Sequence, residues 1–329
     1  MNNDLKYSYK KCRDIFKYHA KTYYYGAVLF EKKKFYHICA FYGFVRLIDN
    51  LIDENQEISL LNKKEILDDI ENIFFMYYDD YKKYKKQVNL SYIYKDNKFY
   101  FKFFEILPAV LTTFDKININ ERCIRSFFSS MRMDLEKFRY KNFKELEEYM
   151  FGSAEIIGEV MYSIMEEKEE DYLMLDYAYS LGKAFQLTNF IRDIREDYEM
   201  IPRRIYIPEE EQEQFNVNLE KDIPKILDNS IEYTKLLNVK ELIKYQIERC
   251  DKIYEFAEVG INKLKDLKPI YLSKVLYQSI HKKIIKNNYD VFSNRCHLSK
   301  WEKIIMAYNI LGIQNMFLFI YNYFRYTYF

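Results

Sequence analysis

The chain has 329 residues, 49% of them apolar, with 7 glycines, 5 prolines and a formal net charge of +1. That length supports a sizeable core, and the scarcity of glycine disfavours turn-rich β folds and doubly wound folds in favour of long helices with short connections. The balanced charge, without a basic block, argues against a nucleic-acid partner, whose phosphates are held by clustered Lys and Arg.

Five scattered cysteines without a CxxC pair point to a reducing compartment and away from a zinc site. The N-terminal "MNNDLKYSYKKCRD" has no apolar signal-peptide core, so a cytoplasmic location is expected. Residues 8–56 read as two helices with a turn near "FEKKKF" (30–35). An amphipathic helix is predicted over 61–79, followed by a charged turn or helix end at "YDDYKKYKKQ" (78–87) and a loop around "KDNKFY" (95–100). Helical periodicity returns at 101–113, 119–138, 143–166 and 169–198. "EMIPRRIYIPEEE" (199–211) is a proline-punctuated loop, and helices resume at 219–235, 238–266, 268–286 and 298–325. The segment 304–329 carries a single charge, Arg325, but asparagines interrupt it, so the run of about 20 apolar residues that a membrane span needs is not met. It is expected to be a core-packed or surface-docked helix, with peripheral membrane contact as the alternative. No repeat period or long linker appears, so residues 1–329 read as a single all-α domain.

Two helices carry a polar stripe that a buried helix does not need. In "FYGFVRLIDNLIDE" (41–54), Tyr42, Arg46, Asp49 and Asp53 are offset by 0, 4, 7 and 11 residues. In "QLTNFIRDIREDY" (186–198), Gln186, Asn189, Asp193 and Asp197 are offset by 0, 3, 7 and 11, and Gly182 extends the same line. At about 100° per residue, each set falls within a stripe of roughly 80° or less, while the other faces are Leu, Ile and Phe. A lone acidic pair one turn apart is most often a solvated surface feature. Two such pairs on apolar helices, 144 residues apart, point to a shared partner. Buried carboxylates need one, and Mg²⁺ takes such oxygens while keeping positions for water and substrate phosphates. Facing across a bundle, the stripes would hold Mg²⁺ and through it a diphosphate, whose departure from an allylic carbon needs its charge neutralised. The carbocation left behind needs a dry aromatic pocket, which 34 Tyr and 26 Phe can supply.

These residues resemble the squalene/phytoene synthase family. "CRDIFKYHAKTYYYGAVLFEKKK" is similar to its opening helix, the two stripes to its two aspartate motifs, "MRMDLEKFRYKNFKELEEYMFGSAEIIGE" (131–159) to its central signature, "RRIYIP" (203–208) to the tail of the second motif and "FSNRCHLSKWEKI" (292–304) to its C-terminal basic segment. The resemblance implies an isoprenoid-synthase helical bundle with a central cavity. It implies Mg²⁺, with Mn²⁺ as a substitute, at Asp49, Asp53, Asn189, Asp193 and Asp197. Arg46, Lys21, Arg192 and Arg204 would hold diphosphate oxygens. Tyr42, Tyr23, Tyr149 and Tyr206 would bond the diphosphates or shape the site, with Gln186 and His19 in the reaction zone. Ala27, Cys39, Gly158 and Gly182 would border the chain pocket.

The implied reaction is a head-to-head condensation of two prenyl diphosphates through a cyclopropyl diphosphate. "YMFGSAEIIGE" and "FQLTNFIRD" look most like phytoene synthases, so geranylgeranyl diphosphate is the expected substrate and no NADPH is expected. His19, Tyr23 and Ala27 lie one turn apart on the first predicted helix, and Cys39 shares the stripe of Tyr42 and Arg46. Small residues at 27 and 39 would leave tunnel length for a C20 tail; a C15 (dehydro)squalene synthase is the alternative. One departure stands out: Glu155 occupies a position where the family has a small residue, and with Glu159 it reads as a helix-surface pair. A class I terpene cyclase would share the bundle and metal, but its N-x-x-x-S-x-x-x-E pattern is not present at the second motif. A non-catalytic scaffold homologue would have lost its aspartates, and all four are here.

Overall fold

A computed structural model describes residues 3–53, 58–84, 98–166 and 171–328. Among them the regular structure is helical, with one isolated parallel bridge between Arg139 and Ile205. The helices are α1 (Asn3–His19), α2 (Lys21–Ala27), α3 (Lys32–Asp53), α4 (Leu60–Tyr84), α5 (Lys98–Lys116), α6 (Glu121–Glu136), α7 (Phe143–Met150), α8 (Ile156–Met165), α9 (Tyr172–Arg192), α10 (Ile194–Glu199), α11 (Glu209–Gln214), α12 (Leu219–Leu227), α13 (Tyr233–Ile261), α14 (Leu267–Lys286) and α15 (Lys300–Tyr328). A π-turn, Phe151–Glu155, links α7 to α8.

Two expectations change in detail. Residues 8–53 form three helices, because Ala20 (φ −122°, ψ 58°) leaves helical geometry and separates α1 from α2. His19 is therefore not on one continuous helix with Tyr23 and Ala27. "KDNKFY" is not all loop, since 98–100 open α5; residues 95–97 lie outside the described residues, as do 85–87 of the charged stretch and Glu54 of the first motif. The C-terminal segment is a surface-docked helix, with Ala307, Leu311, Phe319, Asn322 and Tyr326 buried and many of its other side chains exposed. No helix among the described residues is long and apolar enough to cross a membrane.

The chain divides into two compact units, neither of them a continuous stretch. The first comprises 1–135, 160–169 and 318–329. Its centre is α1, α3 and α5 packed on one another. Phe44 of α3 meets Phe74 and Phe114 at ring separations of 5.2 and 5.5 Å. Gly43 lets α1 come close, since a Cβ there would lie 3.1 Å from the Cys12 backbone. Thr113 ties the three helices with polar bonds, to His37 Nδ1 at 2.9 Å and Tyr9 OH at 3.1 Å.

The second unit comprises 136–159 and 170–317. Its axis is α9, begun by Asp171, whose carboxylate accepts from the Leu173 and Met174 amides and so satisfies the donors that open a helix. α13 and α14 flank α9. A buried polar cluster fixes its middle: Thr188 Oγ1 meets Tyr254 OH at 2.9 Å and His281 Nε2 at 3.0 Å, and His281 Nδ1 meets Asp251 at 2.9 Å. α7 is opened by Asn142, which accepts from the Glu145 amide while Glu145 accepts from the Lys141 amide, a reciprocal cap.

Candidate active site

In the first unit the polar stripe of α3 behaves as its spacing predicts. Tyr42, Arg46, Asp49 and Asp53 are half-buried, while Phe41, Gly43, Phe44, Leu47, Ile48, Leu51 and Ile52 between them are buried. The helix thus spends its apolar faces on the core and leaves one polar edge. Arg46 Nη1 donates to Asp49 Oδ2 at 2.5 Å, one turn along. Tyr42 packs on Phe16 at 4.5 Å, which brings the end of α1 to the start of the stripe. His19 is half-buried there, edge-on to Tyr18, with Lys21 exposed and Tyr23 half-buried just beyond the break at Ala20. Ala27 and Cys39 are buried, and burial pushes the Cys39 thiol well up and out of the nucleophilic range.

In the second unit Gly182, Gln186, Asn189, Asp193 and Asp197 are half-buried between buried Ala184, Leu187, Thr188, Phe190, Ile191 and Ile194. The helix does not run straight through. Asp193 (φ −102°, ψ 18°) ends α9 and begins α10, although the Asp193 and Asp197 amides still bond four residues back at 2.8 Å. Two guanidinium groups clasp the Asp193 carboxylate. Arg192 Nε donates to Oδ1 at 2.6 Å, and Arg295 donates to both oxygens at 2.8 Å. Burial alone would raise the Asp193 carboxyl, but these two cations outweigh it and hold it below the ordinary carboxylate range. Burial opposes the charge on Arg192, and its bond to Asp193 more than restores it.

Beside this edge stands an aromatic stack. Phe190 lies flat on Tyr206 at 4.0 Å, and Tyr149 and Tyr140 follow at 5.7 and 5.9 Å from Tyr206. The proline-punctuated loop brings Tyr206 there, held by the Arg139–Ile205 bridge and by the Arg204 amide donating to the Asp197 carbonyl at 2.9 Å. Arg204 is buried at the same point.

Two sequence readings are corrected. Gly158 and Gly182 do not border open space: a Cβ on Gly158 would sit 2.1 Å from the Ala178 carbonyl oxygen and one on Gly182 would sit 2.3 Å from that of Ala154. They are the close-approach points between α9 and the segment from the π-turn into α8. Glu155 and Glu159 are not a surface pair either. Glu155 is mostly buried and pairs with Lys183 at 3.1 Å, and Lys183 also bonds Glu147 at 2.9 Å. Glu159 is buried and accepts from the Tyr179 hydroxyl. Burial raises the Glu155 carboxyl despite Lys183.

The residues that sequence reasoning misses are Arg295, Lys183 and the Thr188–His281–Asp251 cluster. Arg295 stands inside the basic segment quoted above, but its partner is 102 residues away.

Among the described residues no three His, Cys, Asp or Glu side chains converge as a metal site. The donor chemistry nevertheless fits a hard cation. Asn189 Oδ1 is buried without a hydrogen-bond partner, its Nδ2 turned toward Gln186 Oε1 at 3.4 Å. An unsatisfied buried acceptor costs about 1–3 kcal/mol, and it lies one turn before a carboxylate that already attracts two cations. Oxygen donors of this kind are what Mg²⁺ prefers.

Solved structures define the class. A dehydrosqualene synthase crystal structure covers 95% of this chain and 98% of its own at a TM-score of 0.72 and 21% identity. The squalene synthase HpnC from Alicyclobacillus acidocaldarius covers 88% of this chain and 97% of its own at a TM-score of 0.69 and 17% identity. The fold is thus the all-α isoprenoid-synthase fold. The chain belongs to the squalene/phytoene synthase family, whose model matches residues 16–302. It is 30% identical to a phytoene synthase of Arthrospira platensis over 91% of this chain and 90% of the relative. It is 28% identical to a 15-cis-phytoene synthase of Synechocystis over 91% and 82%.

Proposed function

We propose that the chain is a prenyltransferase that joins two geranylgeranyl diphosphates head to head to give phytoene. Family membership and the phytoene synthases among its relatives support the reading. The observation in the molecule that carries it is the pair of half-buried acidic edges, each on an otherwise apolar helix and each with its own arginine.

The C1–O bond of one substrate breaks and diphosphate leaves with the electron pair. The C2=C3 bond of the second attacks the C1 cation, and loss of a proton closes a cyclopropane. The second diphosphate then leaves, the skeleton rearranges to a 1′-1 link, and proton loss gives the central double bond. No hydride enters, so no NADPH is needed. Divalent cations, at Asp49 and Asp53 and at Asn189, Asp193 and Asp197, would supply Lewis-acid neutralisation of the departing oxygens. Arg46, Arg192, Arg204 and Lys21 add positive charge that does not depend on them. Phe190, Tyr206, Tyr149 and Tyr140 form a stack that excludes water and offers π faces to a passing carbocation. Gln186 keeps the Asn189 amide nitrogen occupied, so that its oxygen stays available.

The test is incubation of purified protein and Mg²⁺ with geranylgeranyl or farnesyl diphosphate, with and without NADPH, and identification of the hydrocarbon by mass. A C40 product without NADPH is expected. A C30 product would keep the family and overturn the substrate, and no product from folded protein would overturn the enzyme reading.

A further inference from the structure

Behind the second acidic edge, one hydroxyl ties α9 to both of its flanking helices. Thr188 Oγ1 lies 2.8 Å from the Ala184 carbonyl, 2.9 Å from Tyr254 OH of α13 and 3.0 Å from His281 Nε2 of α14. His281 Nδ1 and Gln278 Nε2 both meet Asp251 Oδ1, each at 2.9 Å. Thr188, Tyr254 and His281 are 0, 0 and 1% exposed. Hydroxyl, imidazole and carboxylate in this order are the parts of a nucleophilic triad. Here the hydroxyl is closed off from any substrate, so the cluster braces the helix rather than attacks.

The proton count supports a brace. A threonine hydroxyl has one proton to give and two lone pairs to accept with. With its proton on the Ala184 carbonyl, it accepts from Tyr254 OH and from His281 Nε2–H. With its proton turned to His281 Nε2, it still accepts from Tyr254, and the Ala184 carbonyl keeps the Cys250 thiol at 3.3 Å. The joint therefore holds whether or not His281 Nε2 carries a proton.

The next residue is Asn189. Its Oδ1 is buried without a hydrogen-bond partner, and its Nδ2 reaches Gln186 Oε1 only at 3.4 Å. Its own bonds thus hold the Asn189 amide weakly. One turn further on, Asp193 leaves helical geometry, so the end of α9 steadies it little. α14 also reaches this edge a second time. Tyr277, one turn before His281, packs on Phe185 at 4.8 Å and hydrogen-bonds Arg192, which clasps Asp193.

We propose that Thr188 and His281 are positioning residues for the second acidic edge. They fix the rotation of α9 against α13 and α14, and so the place of the Asn189 oxygen beside the Asp193 carboxylate. The inference rests on the proposed cation at that edge and puts the control of its affinity on the opposite, buried face of the helix. The tolerance is small. Turning a helix by about 10° moves an atom about 6 Å from its axis by about 1 Å, whereas metal–ligand distances tolerate about 0.2 Å.

The test is calorimetric titration of the folded full chain with Mg²⁺ and no substrate, in an Asp49→Asn/Asp53→Asn background that leaves the second edge to bind. Thr188→Val keeps the shape and removes the hydroxyl. It should weaken Mg²⁺ binding at least about ten-fold, as loss of a group that orients a metal ligand does. Thr188→Ser restores the hydroxyl and should restore the affinity. Tyr254→Phe removes one bond and orphans no atom. It should weaken binding about three-fold, and it decides the matter if Thr188→Val does not fold. Gln246→Leu is the control: it breaks a buried bond from α13 to Glu211 at 2.6 Å and should lower the melting temperature without changing Mg²⁺ affinity. Thr188→Val or Tyr254→Phe melting earlier yet binding Mg²⁺ as the background does would overturn the inference and leave the cation reading intact. So would an equal loss of affinity in Gln246→Leu. A folded background chain that binds no Mg²⁺ would overturn the cation reading itself, and the inference with it.

Discussion

The two acidic edges share a pair of aspartates four residues apart and are built differently. On α3 one uninterrupted helix carries both aspartates, and the arginine that meets Asp49 sits three residues before it. On α9 and α10 the helix breaks at the aspartate itself, and the carboxylate is held by a neighbour and by Arg295, which arrives from a loop after α14. Equal residue spacing thus rests on unequal scaffolds. The first edge runs along one unbroken helix, and the second depends on α9 keeping its contacts with the π-turn, α13 and α14.

The heaviest loss is expected from the aspartates, and it asks whether the edges are equal in function. Asp49→Asn and Asp193→Asn should each lower kcat by about 10²–10³-fold, in the range seen when one group that stabilises developing charge is removed. If only one of them matters in a turnover assay, the two motifs are not equivalent. Next, Gly182→Ala should destabilise the protein by about 1–3 kcal/mol, because a Cβ 2.3 Å from the Ala154 carbonyl oxygen forces α9 outward. Denaturant melts would read this loss. The control on α3 is Gly43→Ala, whose new Cβ meets its nearest atoms at 3.1 Å and should cost less. Equal losses from the two glycines would remove the contrast between the scaffolds.

A smaller effect addresses the difference in cation supply. Arg295→Gln frees one side of Asp193, so Mg²⁺ binding measured by calorimetry without substrate should tighten by up to about five-fold, the worth of a half-exposed ion pair. Unchanged affinity would show that Arg295 does not compete for that carboxylate. The mildest effect concerns pH and the scaffold behind the second edge. Burial raises the Asp251 carboxyl, but bonds from His281 and Gln278 outweigh it and leave it below its ordinary value. A depressed folded value adds stability that is fully present above the unfolded carboxylate pKa of about 3.9 and is lost as pH falls through the folded one. The gap in melting temperature between wild type and Asp251→Asn should therefore be full near neutrality and close below about pH 4.

What is periodic in this molecule is legible in its sequence. The stripe on α3 follows from 3.6 residues per turn and nothing else, and so does the buried character of Phe44, Leu47 and Ile48 around it. The Asn189–Asp193 edge is legible for the same reason, but the break at Asp193 is not, since nothing in the local spacing marks it. Arg295 and His281 are beyond reach because their partners lie 102 and 93 residues away and are chosen by packing. Glu155 shows the limit from the other side: a carboxylate in a helical sequence reads as surface, and only the position of Lys183 shows that it is paired and mostly buried.

The π-turn sets the phase between two halves of one helical run. One extra residue in a helical turn rotates everything before it by about 100° relative to everything after it. Upstream, Tyr149 must point at Tyr206; downstream, Gly158 must present its bare Cα to Ala178. Ser153 Oγ donates to the Tyr149 carbonyl at 3.0 Å and steadies the widened turn. Deleting a single residue from 151–155 would leave a regular helix of nearly the same length, and it would set the aromatic stack and the glycine contact out of step with each other.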